Sequence, residues 1–338
     1  MDAGFLNIAE QSLLSPPLLF FVLGAVAAFL KSDLNLSNGM TKGLSLYLMF
    51  SIGFKGGIAL REAEIDQVML MALGAGVILS FIMPLMAFSL LKILASKLRT
   101  IDMGAIAAHY GSVSVVTFVT AVALLEQMNI SYEGYMVAVL AIMETPAIIT
   151  GLLLATYKTG NSHENAFKSF TSLLTSQVVL KVLVNGSVVL LIGSFLIGWM
   201  TGDKGMAAVS PFIVAPFQGV LCLYLLDMGL VAVRKLRDKS DINFGVLMFG
   251  IIMPLLGALL GGLFATIIGL SQGGVFLLMV LTASASYIAV PAALRMALPE
   301  ANPSLYITLS LGITFPFNIL IGLPLYFESS KFIMGLFH

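Results

Sequence analysis

Two short stretches of this chain hold polar groups in a hydrophobic setting: "HYGSVSVVT" at 109–117 and "TASASYIAVP" at 282–291. Gly111 weakens a helix, Pro291 removes a backbone donor, and Ser and Thr hydroxyls replace lost backbone partners. Each stretch is therefore expected to be a helix broken near mid-membrane. A broken helix presents unpaired N–H groups and partial positive charge at its new N-terminus, which suits an anion without a buried Arg or Lys. The candidate substrate contacts are Gly111, Ser112, Val113, Ser114 and Thr117 on the first stretch and Thr282, Ala283, Ser284, Ala285 and Ser286 on the second. For any one serine the alternative is that small residues simply let membrane helices approach closely.

Ionisable residues inside apolar segments come next, because an unpaired charge at a membrane helix centre costs at least roughly 2.5 kcal/mol. Lys55, Glu144, Lys181 and Asp227 qualify. Glu144 in "AIMETPAII" adjoins Thr145 and precedes Pro146, whose ring frees a backbone carbonyl. Carboxylate, hydroxyl and carbonyl oxygens together suit a hard cation such as Na⁺, with Ser114 and Ser286 as further oxygen donors. The alternatives for Glu144 are a hydrogen bond at the kink or an ion pair with Lys55. Asp227 in "YLLDMGLV" is expected to pair with Arg234 near a basic helix end. His109 is a candidate proton carrier or a hydrogen-bonded interior residue, and Lys55 is a candidate gating residue or a snorkelling one.

Several classes fall away. There is no HExxH, no GxSxG, no paired aspartate motif and no Walker loop, so neither an enzyme nor ATP-driven transport is expected. Cys222 is the single cysteine, which excludes a disulfide within the chain and Cys-rich metal sites. No cofactor is expected beyond Na⁺ as a coupling ion. Lys plus Arg (17) equals Asp plus Glu (17), without the basic excess of a nucleic-acid binder.

The elements that must position these groups are membrane helices. Of 338 residues 59% are hydrophobic and 10% charged, which predicts an all-α polytopic membrane protein. At roughly 20 residues per span, ten helices are expected near 16–30, 43–60, 67–92, 103–125, 134–156, 178–200, 211–232, 244–270, 273–296 and 304–327. The opening "MDAGFLNIAEQSLLSPP" has no basic region or small-residue cleavage site and reads as mature sequence rather than a signal peptide. With both termini outside, twelve Lys and Arg fall on inner loops and helix ends against Arg61, Lys204 and Lys331 on the outer side. The positive-inside rule therefore puts N- and C-termini outside, in a bacterial inner membrane.

A shift of 170 positions sets Met83-Pro84 on Met253-Pro254, Ser112 on Thr282, Ser114 on Ser284, and Pro146 on Pro316. Five spans per half give the second copy the opposite entry, so the repeats are inverted. The expected division is a first five-helix repeat at 1–157, a cytoplasmic connector at 158–176, and a second repeat at 177–338. Inverted repeats holding substrate at the midplane are a recurrent plan of secondary transporters.

"GSVSVVT", "ISYEGY", "METPAIIT" and "LPEANPSLYI" resemble, in order, the G-x-V-S-G-S-T, I-S-Y-E, M-D-I-P-A and P-S-A-N-P-S patterns of the cyanobacterial-type sodium-dependent bicarbonate permeases. The resemblance spans nearly the whole chain. It implies Na⁺-coupled uptake of bicarbonate, a homotrimer in lipid, and a PII-like cytoplasmic regulator. The chain departs from the pattern at Val115-Val116, where the family has glycine and serine, and at Tyr287, where it has a carboxylate. Its central connector is also shorter. Other small organic anions, H⁺ in place of Na⁺, or a non-transporting sensor of the same fold are the alternatives that these departures leave open.

Overall fold

The computed structural model describes residues 14–62, 66–156, 186–237, 243–287 and 289–337. The expected connector 158–176, Lys181 and the opening of the sixth expected span lie outside the described residues. Among the described residues there is no strand. Helices occupy all ten expected segments: α1 (Pro16–Phe29), α2 (Asn38–Glu62), α3 (Gln67–Leu94), α4 (Thr100–Gly111) with α5 (Val115–Gln127), α6 (Met136–Thr156), α7 (Gly186–Ile213), α8 (Phe217–Arg237), α9 (Phe244–Ile268), and α10 (Gln272–Ala283) with α11 (Ala289–Ala297). The last helix, α12, begins as Pro303–Ile307, widens into π-helical turns over Thr308–Thr314 and Asn318–Gly322, and ends as Leu323–Phe337.

The number of crossings is smaller by length than the ten expected. Among the described residues, six helical runs are long and apolar enough to span a membrane: α2, α3, α4 with α5, α6, α9 and α12. The pair α7 and α8, bent by 50°, raises this to seven. Two expected spans fall short for visible reasons. Helix α1 has 14 residues, opened by Pro16 and closed before Lys31 with its positive φ, and α10 has 12 because the break at 284 cuts it.

Local chemistry sets the ends. Asp66 accepts from Met69 N–H at the start of α3 (2.8 Å) and Asn243 from Val246 N–H at the start of α9 (3.0 Å). Gly269, at φ 87°, closes α9 in the left-handed conformation, and Ser271 opens α10 two residues later. The connector expected after residue 200 is instead helical and continues α7. Gly202, at φ 55°, turns the chain inside that helix. Arg61 donates to the carbonyls of Trp199 (3.3 Å) and Met200 (2.6 Å), just before this turn.

The helices form two bundles. In one, α1 packs on α8 and α2 on α7, with α8 also touching α2. Gly24 lies directly against the backbone of Leu226, and Gly57 against that of Phe195. A Cβ at either would collide, so small residues let these backbones touch without a water-driven hydrophobic force. The other bundle joins α3, α4 and α6 to α9, α10 and α12, with α3 and α9, which carry the repeat-related Pro84 and Pro254, in contact. Both broken helices belong to this second bundle.

Candidate functional site

Both expected breaks are present. Helix α4 stops at Gly111, residues 112–114 are extended, and α5 restarts at Val115. The stop depends on packing as well as propensity: a Cβ on Gly111 would strike the Pro84 ring and approach the Ala147 methyl group at 2.9 Å. Ser114 caps the new helix, its Oγ accepting from Thr117 N–H (3.2 Å) and from the Thr117 hydroxyl (2.9 Å). The second break follows Ala283 and precedes Ala289. Pro291, expected to break the helix, is instead the third residue of α11, where its missing N–H costs no helical bond.

The breaks meet. Ser114 N–H donates to Ser284 Oγ at 2.9 Å, joining residues 170 apart, and Ser284 Oγ in turn donates to Leu281 O at 2.9 Å. Ser286 N–H donates to His109 O at 2.8 Å. The Thr282 hydroxyl turns back onto its own helix, to Leu278 O (2.9 Å) and Met279 O (3.1 Å). Asn318 of α12 donates to Ala283 O at 2.8 Å and accepts from the Tyr326 hydroxyl at 2.8 Å, so the last carbonyl of α10 is satisfied. Val113 and Ala285 are buried among these groups.

Other buried polar atoms here have no protein partner. They are Ser112 Oγ, His109 Nε2 and Glu144 Oε2, whereas the Tyr287 hydroxyl faces the Ser114 and Tyr224 side chains. His109 lies 2.8 Å from Ala105 O through Nδ1 and stacks at 4.6 Å on Tyr306. A carbonyl only accepts, so Nδ1 holds the proton and Nε2 keeps a lone pair. Unpaired buried polar atoms cost roughly 1–3 kcal/mol each, which makes each of them a candidate ligand contact.

Glu144 reaches this region through α6. Along α4 and α6 the close approaches run antiparallel: Gly104 against Ala155, Ala108 against Gly151, Gly111 against Ala147. One further step in this register sets Glu144 level with Val113 and Ser114, beside the break. Thr145 is half-buried on the other side, in an apolar cleft between α3, α6 and α7. The carbonyl chemistry is partly spent, because Ser80 donates its hydroxyl to Met143 O. Among the described residues no three His, Cys, Asp or Glu side chains come together, so a cation at Glu144 would rely on hydroxyl and carbonyl oxygens.

Two expected pairings are corrected. Lys55 pairs with Glu126 at 3.0 Å, not with Glu144, and its ammonium lies 4.6 Å from the Phe217 ring centroid. Asp227 accepts from the Thr41 hydroxyl at 2.6 Å. Arg234 instead donates to Asn35 Oδ1 and Leu34 O, at 3.0 and 2.8 Å. Helical proximity alone suggested Arg234 for Asp227, whereas the neighbouring helix α2 supplies a shorter reach.

Clamps outside the breaks had no expectation attached. Glu133 accepts from Ser271 N–H (2.7 Å) and the Ser271 hydroxyl (3.0 Å), placing a carboxylate at the positive end of α10. At the start of α4, Asp102 accepts from Asn302 N–H at 2.9 Å, and Arg99 bridges Asp102 and Glu300 O. The hydrogen bond and charge of Asp102 raise the Arg99 pKa above its ordinary value. Burial first, and the charge of Glu126 second, push up the pKa of the Tyr132 phenol in the loop after α5. The residues missed by sequence reasoning are therefore Glu133, Asp102, Ser80, Thr314 and Asn318. The 170-position shift, carried on to Glu144, would have found Thr314. Asn318 had no such signal, since its reach depends on the π-helical turns.

Comparison with curated proteins returns no match. A family model, that of the Na⁺-dependent bicarbonate transporter superfamily, does match, over residues 16–331. With apolar helices of spanning length and a match over most of its sequence, the chain is an integral membrane protein that belongs to the Na⁺-dependent bicarbonate transporter superfamily.

Proposed function

We propose that this protein is a secondary transporter that takes up a small anion, bicarbonate first, together with Na⁺ by alternating access. The carrying observation is the meeting of two broken helices at Ser114 and Ser284, beside unpartnered Ser112 Oγ and His109 Nε2. The anion would be held by α5 N-terminal N–H groups and the Ser112 hydroxyl, and Na⁺ by Glu144 with neighbouring hydroxyl and carbonyl oxygens. If both ligands meet at one break, each must raise the other's affinity by the same factor.

The reading includes ten crossings in two inverted repeats, with both termini outside and the 158–176 connector in the cytoplasm. Three contact pairs that exchange under the 170-position shift support it. Helix α1 packs on α8 as α7 packs on α2. The loop after α5 clamps the start of α10 as the loop after α11 clamps the start of α4. Ser80 ties α3 to Met143 O as Thr314 ties α12 to Gly250 O. Exchange of this kind is expected when two bundles, each built from both repeats, move against each other. A homotrimer and a PII-like regulator on the cytoplasmic side remain part of the proposal through family membership alone.

Proteoliposome uptake of labelled bicarbonate with and without an inward Na⁺ gradient tests the function. Uptake that ignores Na⁺ and survives Glu144→Gln would overturn the coupling. His109 Nε2 favours a second reading, H⁺-coupled uptake of another small organic anion. It predicts that a proton gradient, and not Na⁺, drives flux, and that His109→Gln abolishes it.

A further inference from the structure

We infer that Lys55 and Glu126 form a latch between the two bundles, holding one side of the transporter closed. The inference deepens the alternating-access reading and rests on it. Lys55 belongs to α2 in the α1, α2, α7, α8 bundle, and Glu126 to the last turn of α5 in the bundle of broken helices. Their 3.0 Å ion pair therefore crosses the boundary along which the bundles must part. The side chains are 17% and 33% exposed, enough shielding to strengthen the attraction and enough access for water to receive both charges on opening.

The two ends of the latch are anchored differently. Lys55 lies over the ring of Phe217, the first residue of α8 and a member of its own bundle. When the bundles separate, the ammonium keeps this cation–π partner while Glu126 is carried away with α5. Separation thus exposes a carboxylate rather than two orphaned charges.

The latch is one-sided. The 170-position shift places Leu225 where the first half has Lys55, and Met296 where it has Glu126. Inverted repeats would set those residues at the opposite face, so the repeat-related positions there carry no charges to form the same pair. In the orientation favoured by the loop charges, Lys55 and Glu126 lie toward the outside. The ion pair therefore biases the transporter toward an outward-closed state.

Spin labels at Gly74→Cys on α3 and Gly193→Cys on α7, with Cys222→Ser, report the distance between bundles. Both glycines have open space for a side chain. Lys55→Met or Glu126→Gln should raise the population of a second, longer distance about two- to fivefold, the range an ion pair of this exposure supplies. The double variant Lys55→Glu with Glu126→Lys should restore the original distribution more fully than either single neutralisation. Identical distributions in all variants would overturn the latch, as would a swap no better than the singles. A shift in distance without any bicarbonate uptake by the parent protein would leave the latch standing and refute bicarbonate as the substrate instead.

Discussion

The two breaks differ in how their polar groups are used. In the first half, Ser112 Oγ, His109 Nε2 and Glu144 Oε2 are buried without protein partners. In the second half, the positions related by the 170-residue shift are committed to the framework. Thr282 bonds back to α10, and Thr314 donates to Gly250 O at 2.7 Å while meeting the Tyr110 hydroxyl. The repeat by itself would make the two breaks alike. The structure shows a division between them: the first keeps unpaired polar atoms and the second spends its counterparts on the framework, with Gln272 Nε2 and Thr308 Oγ1 the unpaired buried atoms elsewhere among the described residues of the second half.

The largest test of that division replaces Glu144 and its counterpart. Glu144→Gln should lower Na⁺-stimulated uptake by more than about tenfold, because a single carboxylate charge is removed from a site with little else to balance a cation. Thr314→Val should retain Na⁺ stimulation and lower thermal stability instead, by about 1–3 kcal/mol for the lost buried hydrogen bonds. Uptake in proteoliposomes and melting in detergent separate the two. Equal loss of Na⁺ dependence in both variants would erase the distinction between the halves.

Sequence reasoning reached the helical class, the ten helical segments and both breaks, because glycine, proline and hydroxyl patterns act locally. It also reached Ser114 and Ser284 as related positions on facing breaks through their common offset, though not the direct hydrogen bond between them. The commitment of Thr282 and the freedom of Ser112 were not legible. Both are small hydroxyl residues in apolar surroundings, and only the neighbouring helix decides which is spent. Glycines 257 and 261 let α9 press against Thr282, whereas Gly111 turns the chain away just before Ser112. Asp227 illustrates the same limit: its partner Thr41 is 186 residues away, beyond anything helical spacing reveals.

The stop at Gly111 can be broken sterically. Gly111→Val puts a branched side chain against the Pro84 ring, a wall that cannot rotate away, and overpacking of this kind costs roughly 1–3 kcal/mol or more. A fall in melting temperature with loss of uptake is expected, while Gly193→Ala, facing open space in α7, should be neutral or stabilising by up to about 1 kcal/mol. On the second side, Asn318→Leu should destabilise by about 1–3 kcal/mol, since it strands both Ala283 O and the Tyr326 hydroxyl. Its Na⁺ affinity should nevertheless match that of the parent protein if that side is framework. A selective loss of Na⁺ affinity at normal stability would assign Asn318 to the ligand site.

The finest comparison is between Ser112→Ala and Thr282→Val, at positions the shift aligns. Ser112 Oγ has no hydrogen bond to lose, so removing it should leave the melting temperature unchanged or raise it slightly, within about 1 kcal/mol. Thr282→Val forfeits bonds to Leu278 O and Met279 O, but those carbonyls lie within a helix that can still pair them, so its cost should stay near 0.5–1.5 kcal/mol. Stability alone hardly distinguishes the variants. Transport does: if Ser112 contacts the anion, Ser112→Ala should raise the half-saturating bicarbonate concentration several-fold while Thr282→Val leaves it unchanged. Matched shifts in both would mean that the anion reaches both hydroxyls in another conformation, and that the difference between the breaks belongs to this state of the cycle rather than to the site.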